Sequence, residues 1–395
     1  SGSADTAFNF NADGALSLYH RESSSIRGYF ESSRKLRDTN GWYHLVANFD
    51  ATNGTGADRL VIYVNGERAA GTMHNTLPQN DSGYIGNGSA ADIGRMPSGS
   101  ANYFDGQMAH VHFVDGTIYG PSTFGETDST TGIWKPKTSP TVTYGSGGFF
   151  LKFENSGAMG TDSAGSNNFT VGGGTMTQLI DTPHNVFATM NPLHFGTPSV
   201  SNAPLTNGNN DFSSSEGSGV YPYYYSTLGV SKGKYYVEFK FVNVVSATAG
   251  IGSGVADQYH GNNAADYSYY NDGRLYNGGS SESTGYSALS NGDILGCALD
   301  LDNNKVYFHI NGSYQASGNP VTGAGGKSIT AAASNGIGFY HFAVGDSGST
   351  AGTNIQTNFG NGYFGTTAVA SANADANGHG NFEYAVPSGY YAMNT

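Results

Sequence analysis

Apolar and polar residues alternate over many short stretches of this chain. In Trp42–Asp50 the positions Tyr43, Leu45, Ala47 and Phe49 make one face, and in Arg59–Asn65 the face is Leu60, Ile62 and Val64. Ala109, Val111, Phe113 repeat the pattern, as do Phe149, Leu151, Phe153. Further on come Tyr235, Val237, Phe239, Phe241, then Leu295, Cys297, Leu299, Leu301, then Val306, Phe308, Ile310. This period of two predicts half-buried β-strands. No stretch carries a convincing 3.6-residue spacing, and Pro121–Glu126 suits one helical turn. Asn-Gly pairs at Asn65-Gly66, Asn87-Gly88, Asn291-Gly292 and Asn311-Gly312 are hairpin signals. Together these features predict an all-β chain of antiparallel, jelly-roll-like β-sandwiches.

Two hairpins echo one another. Leu60-Val61-Ile62-Tyr63-Val64-Asn65-Gly66 lines up with Val306-Tyr307-Phe308-His309-Ile310-Asn311-Gly312, each after a strand that ends near an Asp. Two separate sandwiches with similar central hairpins would give this echo. Between them, Gly157–Thr177 is rich in Gly, Ser, Thr and Asn and lacks a strand pattern. The expectation is a first sandwich over 1–156, a linker over 157–186 and a second sandwich over 187–395.

Composition narrows the class. The 395 residues include 59 glycines, and charged residues are only 12 %. No run of 18 apolar residues suggests a spanning helix. The net charge of −13 argues against binding nucleic acid through its phosphates. Arg34, Lys35 and Arg37 form one short basic run that reads as a solvated turn. The lone Cys297 lies in the apolar run Ile294–Leu299 and reads as a small buried hydrophobe. One cysteine forms no intramolecular disulfide, yet the Gly/Ser/Thr/Asn/Tyr-rich make-up suits an extracellular surface. Folding in a reducing cytosol followed by release through lysis, as for virion proteins, reconciles the two.

Particular motifs carry a resemblance. Gly41-Trp42-Tyr43-His44-Leu45-Val46, Arg59–Gly66 and Tyr103-Phe104-Asp105-Gly106-Gln107-Met108-Ala109 resemble the laminin-G-like, concanavalin A-like lectin/glucanase sandwich. Lys232–Glu238, Gly292–Gly296 and Val306–Gly312 resemble a SPRY domain. Phe124–Asp128, Trp134–Lys137, Asp181–Pro183 and the ending Pro387–Thr395 resemble laminin-G-plus-SPRY virion proteins of tailed bacteriophages, especially marine ones. Such proteins carry further strands before the equivalent of Ala15. Residues 1–14 are therefore expected to be irregular or to pair with a neighbouring chain.

Motifs for chemistry are sparse. Glycoside hydrolysis needs two carboxylates flanking one bond; Glu126-Thr127-Asp128 is the only Glu-x-Asp, and a polar loop is the better reading. Gly326-Lys327-Ser328 lacks the first glycine of a phosphate loop, since Val321 stands there. His110 and His112 alternate on one strand without a residue spaced to complete a metal site. Calcium is the one candidate cofactor, at Asp92, Asp105 or the group Asp257, Asn262, Asn263, Asp266, each of which also suits turn capping. Tyrosine is the strongest lead. Tyr221 and Tyr223-Tyr224-Tyr225 precede Tyr259, Tyr267, Tyr269, Tyr270, Tyr276 and Tyr286, set among Asn, Gly, Asp and Ser. Tyr267 and Tyr269 share a face and suit a core. Tyr259, Tyr270 and Tyr276, with Asp272 and Arg274 around a tight turn at Gly273, are the expected ligand contacts.

The reading is a non-enzymatic virion surface protein, a tail fibre, spike or capsid appendage, that adheres to host-surface glycan or protein. Other virion proteins and further copies of the chain are its expected partners, with neither nucleic acid nor membrane insertion. The alternatives are a purely structural decoration or joining protein, and a degenerate hydrolase.

Overall fold

The computed structural model describes residues 4–38, 41–84, 91–95, 102–104, 106–129, 132–172, 176–183, 185–196, 203–255, 257–282, 285–348 and 350–395. The chain divides into two compact units, Ser1–Gln178 and Leu179–Thr395.

In the first unit the strands are β1 (Asp5–Phe10), β2 (Ala15–Glu22), β3 (Ser25–Lys35), β4 (Leu45–Phe49), β5 (Leu60–Val64), β6 (Glu67–Arg68), β7 (Gly71–Asn75), β8 (Val111–Phe113), β9 (Gly125–Thr127), β10 (Trp134–Pro136) and β11 (Phe149–Leu151). One sheet runs β1-β2-β3-β7 and another β4-β5-β6, while β8 pairs with β11 and β9 with β10. Antiparallel register places Phe8 opposite Leu18 and Leu18 opposite Phe30, so these side chains share a face. That face meets Leu60, Ile62 and Val64 of β5 to form the first core. The only α-helical stretch among the described residues is Pro121–Phe124, a single turn.

The second unit carries β12 (Met190–Phe195), β13 (Leu205–Thr206), β14 (Asp211–Ser214), β15 (Tyr223–Ser226), β16 (Lys234–Asn243), β17 (Ala247–Gly252), β18 (Tyr267–Tyr270), β19 (Leu275–Asn277) and β20 (Ser280–Glu282). It continues with β21 (Ile294–Asp300), β22 (Lys305–Ile310), β23 (Ser313–Tyr314), β24 (Lys327–Ser328), β25 (His341–Asp346), β26 (Thr353–Asn358), β27 (Tyr363–Phe364) and β28 (Thr367–Ala368). A seven-stranded sheet, β12-β15-β25-β17-β18-β19-β20, packs on an eight-stranded one, β13-β14-β26-β16-β21-β22-β23 with β24 also paired to β22. The inner faces supply Ala249, Ile251, Tyr267, Tyr269 and Phe342 from one sheet and Val237, Phe239, Phe241, Cys297 and Phe308 from the other.

The two echoing hairpins are built alike. The Asn65 amide donates to His44 O and the His44 amide to Asn65 Oδ1; Asn311 and Ile294 exchange the same two bonds. Asn65 and Asn311 have φ of 50° and 49°, and the glycines that follow them, Gly66 and Gly312, both have φ of 84°. Two consecutive left-handed residues define the tight hairpin turn that Asn-Gly favours. The Asn87-Gly88 pair lies outside the described residues.

Two expectations are corrected. Residues 1–14 hold β1, which pairs with β2 of its own chain. The stretch 157–186 is not a free linker, because its first part is built into the first unit. Asp162, 5 % exposed, accepts hydrogen bonds from the amides of Phe150, Ala164 and Asn167. Phe169 packs edge-on against Phe149, and Gln178 donates to the carbonyls of Phe153 and Glu154. Polar side chains tie this segment down where no apolar pattern announces it.

Cys297 is fully buried between Val237 and Phe308 on the neighbouring strands, and burial pushes its thiol well above the ordinary range. A thiol reagent is therefore expected to label it only at the rate of unfolding, followed by mass spectrometry across a urea series. Rapid labelling of the native chain would contradict this packing.

Candidate functional site

Strand alternation sends Tyr267 and Tyr269 into the core and leaves Ser268 and Tyr270 on the outer face of the seven-stranded sheet. Across the register Tyr276 lies opposite Ser268, Gly250 opposite Ser268, and Thr248 opposite Tyr270. Further along, Tyr223 lies opposite Gly345 and Tyr225 opposite Ala343 on the same outer face. Small residues make room for these rings. A Cβ at Gly252 would stand 2.6 Å from Asp266 Oδ1 and 2.7 Å from the Tyr225 ring.

This outer face is roofed by residues 253–255 and 257–266. The Asp257 amide donates to Tyr223 Oη (2.7 Å), and Tyr225 Oη donates to Val255 O (3.2 Å). His260 donates from Nε2 to Ile251 O (3.1 Å) and accepts at Nδ1 from Ser268 Oγ (2.8 Å). That pair of bonds fits the neutral ring, and burial lowers the His260 pKa to about 4. Asp266 is fully buried, and its oxygens take the amides of Ser253 and Gly261 (3.3 and 3.4 Å). Burial outweighs these bonds and pushes its pKa up to about 7.

The roof holds Tyr259 at the surface. Its ring lies 5.5 Å from Tyr221, and both are half-buried. Tyr276, also half-buried, stacks on Tyr270 at 4.1 Å and 27°. A Cβ at Gly279 would stand 3.6 Å from Tyr259 Oη, so Tyr259 lies beside the hairpin that carries Tyr276. Arg274 stands with its guanidinium carbon 5.2 Å from the Tyr276 centroid and donates to Tyr276 Oη (2.7 Å). Its Nε donates to Asp272 Oδ2 (2.7 Å), and the Arg274 amide caps Asp272 Oδ1 (3.1 Å) across Gly273, whose φ is +83°. Burial tends to raise the Asp272 pKa, but the Arg274 bonds prevail and hold it below the ordinary range.

The structure thus brings Tyr259, Tyr270, Asp272, Arg274 and Tyr276 together, with one correction. Tyr270 is only 6 % exposed, because Tyr276 covers its ring and its hydroxyl donates to His260 O. It lies beneath the exposed part of the cluster. Tyr221 joins the surface; it lies 38 residues before Tyr259 in the chain, so sequence proximity could not pair them.

Other candidates acquire structural partners. Lys135 bonds Asp128 Oδ2 (3.0 Å) and lies 4.0 Å from Glu126. Lys327 is on β24 and pairs with Glu282 (3.0 Å). His112 stacks on Phe150 at 4.0 Å and shares a hydrogen bond with Tyr144 Oη, and His110 has φ of 51°, outside regular strand geometry. Asp92 bonds Arg95, and Asp105 lies outside the described residues. Asn262 donates to Asp257, and Asn263 Oδ1 caps the Ala265 amide. Among the described residues no three His, Cys, Asp or Glu side chains group as a metal site would require.

Comparison with known proteins adds two findings. Residues 1–119 match the family model described as the concanavalin A-like lectin/glucanases superfamily. The crystal structure of the SPRY domain of human HERC1 is similar at 20 % identity, covering 42 % of this chain and 96 % of that one, with a TM-score of 0.34. A search of curated proteins found no match.

Two measurements test this site. Tyr270→Ala removes a buried, stacked ring and is expected to cost about 3 kcal/mol in urea unfolding. For Asp266 the folded pKa near 7 lies above the ordinary 3.8. Its contribution to stability is complete below pH 3.8 and is lost as pH rises through about 7. His260 acts in the opposite sense over an overlapping range, so the informative quantity is the difference between variants. Asp266→Asn should reduce the loss of Tm between pH 5 and pH 8 (roughly the window set by that shift) relative to the parent.

Proposed function

We propose that this chain is a non-enzymatic adhesion protein of a virion surface, and that the tyrosine cluster of its second unit holds host-surface glycan or protein. The observation that carries the reading is the set of half-buried rings of Tyr221, before β15, Tyr259, on the latched loop, and Tyr276, on β19. Aromatic faces stack on sugar rings or apolar groups, and their hydroxyls remain available for hydrogen bonds. Rigid presentation lowers the entropy lost on binding. The lectin-like match of residues 1–119 supports a binding role. The engagement of Glu126 and Asp128 by Lys135 supports the absence of hydrolysis at that pair.

A second reading, structural joining of virion proteins, draws on the first unit. Phe8 and Phe10 lie on the core side of edge strand β1 yet are 37 % and 44 % exposed, and Phe10 meets the exposed Phe104 at 5.9 Å. An apolar edge of this kind suits a protein neighbour.

The test is a glycan array and host-cell binding with the full chain and its Tyr259→Ala and Tyr276→Ala variants. Each substitution is expected to weaken binding by about 1–3 kcal/mol. Tyr259→Ala should leave stability within about 0.5–1 kcal/mol of the parent. Normal binding by both folded variants would reject the tyrosine cluster as the contact surface.

A further inference from the structure

Resting on the adhesion reading, the charge arrangement around Tyr276 narrows the ligand class. Arg274 supplies a positive charge at this surface, 44 % exposed, where it would otherwise attract sulfated, sialylated or uronic-acid glycans. Its guanidinium is already engaged on every nitrogen. Nε and Nη2 hold Asp272 Oδ2, and Nη1 donates to Tyr276 Oη. Asp272 is itself 41 % exposed, so an approaching anion meets a carboxylate beside the guanidinium. Asp257, which receives a hydrogen bond from Asn262 in the roof, adds a second carboxylate near Tyr259. The wider surroundings have the same sign, since residues 191–395 carry six Lys and Arg against thirteen Asp and Glu.

We propose that the cluster takes neutral glycans, and that Asp272 is the residue that sets this choice by cancelling Arg274. A neutral sugar ring can lie on Tyr276 or Tyr259, with its hydroxyls donating to the remaining lone pairs of Asp272. An anionic sugar finds only the N–H groups of Arg274 that Asp272 and Tyr276 leave over, and meets the Asp272 carboxylate beside them. Opposed exposed charges are screened by salt, so the discrimination is strongest at low ionic strength.

The experiment measures binding of the full chain to neutral hexose glycans, uronic-acid glycans and sulfated glycans at low and high salt. The parent is compared with Asp272→Asn and with the double variant Asp272→Asn/Arg274→Ala. The Asn side chain can still cap the Arg274 amide, and a melting curve checks that the turn survives. The expected result is a neutral preference in the parent. In Asp272→Asn, anionic glycans should gain roughly two- to fivefold, and that gain should vanish at high salt and in the double variant. Equal or tighter binding of anionic glycans by the parent overturns the selectivity and leaves the adhesion reading standing. A neutral preference unchanged in Asp272→Asn overturns the role of Asp272 alone. No glycan binding by parent or variant overturns the glycan reading and this proposal with it.

Discussion

In the second unit each sheet of the sandwich has its outer face partly covered by chain, and a cover over a sheet must satisfy the polar groups it shuts away from water. On the eight-stranded sheet that task falls to Glu238, which is fully buried. Its two oxygens accept from Tyr236 Oη, Asn358 Nδ2 and the amides of Glu383 and Tyr384. Tyr236 in turn accepts from His309 Nε2, because His309 Nδ1 takes the Gly312 amide. On the seven-stranded sheet Asp266, Tyr223, Tyr225 and His260 do the corresponding work. In both places a glycine clears the space: a Cβ at Gly296 would stand 1.9 Å from His309 Nε2, as one at Gly252 would strike Asp266.

The tyrosine surface depends on this roofing. Tyr259 lies within a segment whose main chain is bonded to the buried hydroxyls of Tyr223 and Tyr225 and whose His260 imidazole is bonded to Ile251 O of β17. Tyr276 is held from below by Tyr270 and from the side by Arg274. The rings that face solvent are therefore fixed by groups that do not. Rings fixed in this way would lose little freedom in the contact proposed above.

All seven period-two runs became strands, because alternation reports directly which face a side chain takes. The same rule separated Tyr267 and Tyr269 from Tyr270, since neighbours in a strand point to opposite faces. It could not show that Tyr270 is covered. That cover comes from Tyr276 on the next strand, and the pairing of β18 with β19 is a tertiary fact. The stretch after residue 156 failed for a related reason. Its attachment runs through Asp162 and Gln178, and hydrogen bonds made by polar side chains leave no hydrophobic period. The opening strand had a readable signal in Phe8 and Phe10, which share one face of β1 opposite Leu18 and Leu16.

Buried carboxylates with raised pKa values also mark active sites, so Glu238 and Asp266 require a choice between catalysis and support. Burial pushes both to about 7. Their surroundings show what each carboxylate holds. Two shallow concavities of the second unit have volumes of about 420 and 250 Å³. The larger is lined by Glu282, Tyr286 and Lys327 and the smaller by Tyr314, Pro320 and Pro387, and neither carboxylate reaches them. Glu238 spends its oxygens on four donors, two of them amides of the covering segment 383–384. Asp266 spends its own on amides of the other cover. A general acid or base must meet its substrate within hydrogen-bond reach; the donors that meet Glu238 come from its own sheet and from segment 383–384, and those that meet Asp266 include the amides of Ser253 and Gly261, so both carboxylates fasten a cover to its sheet.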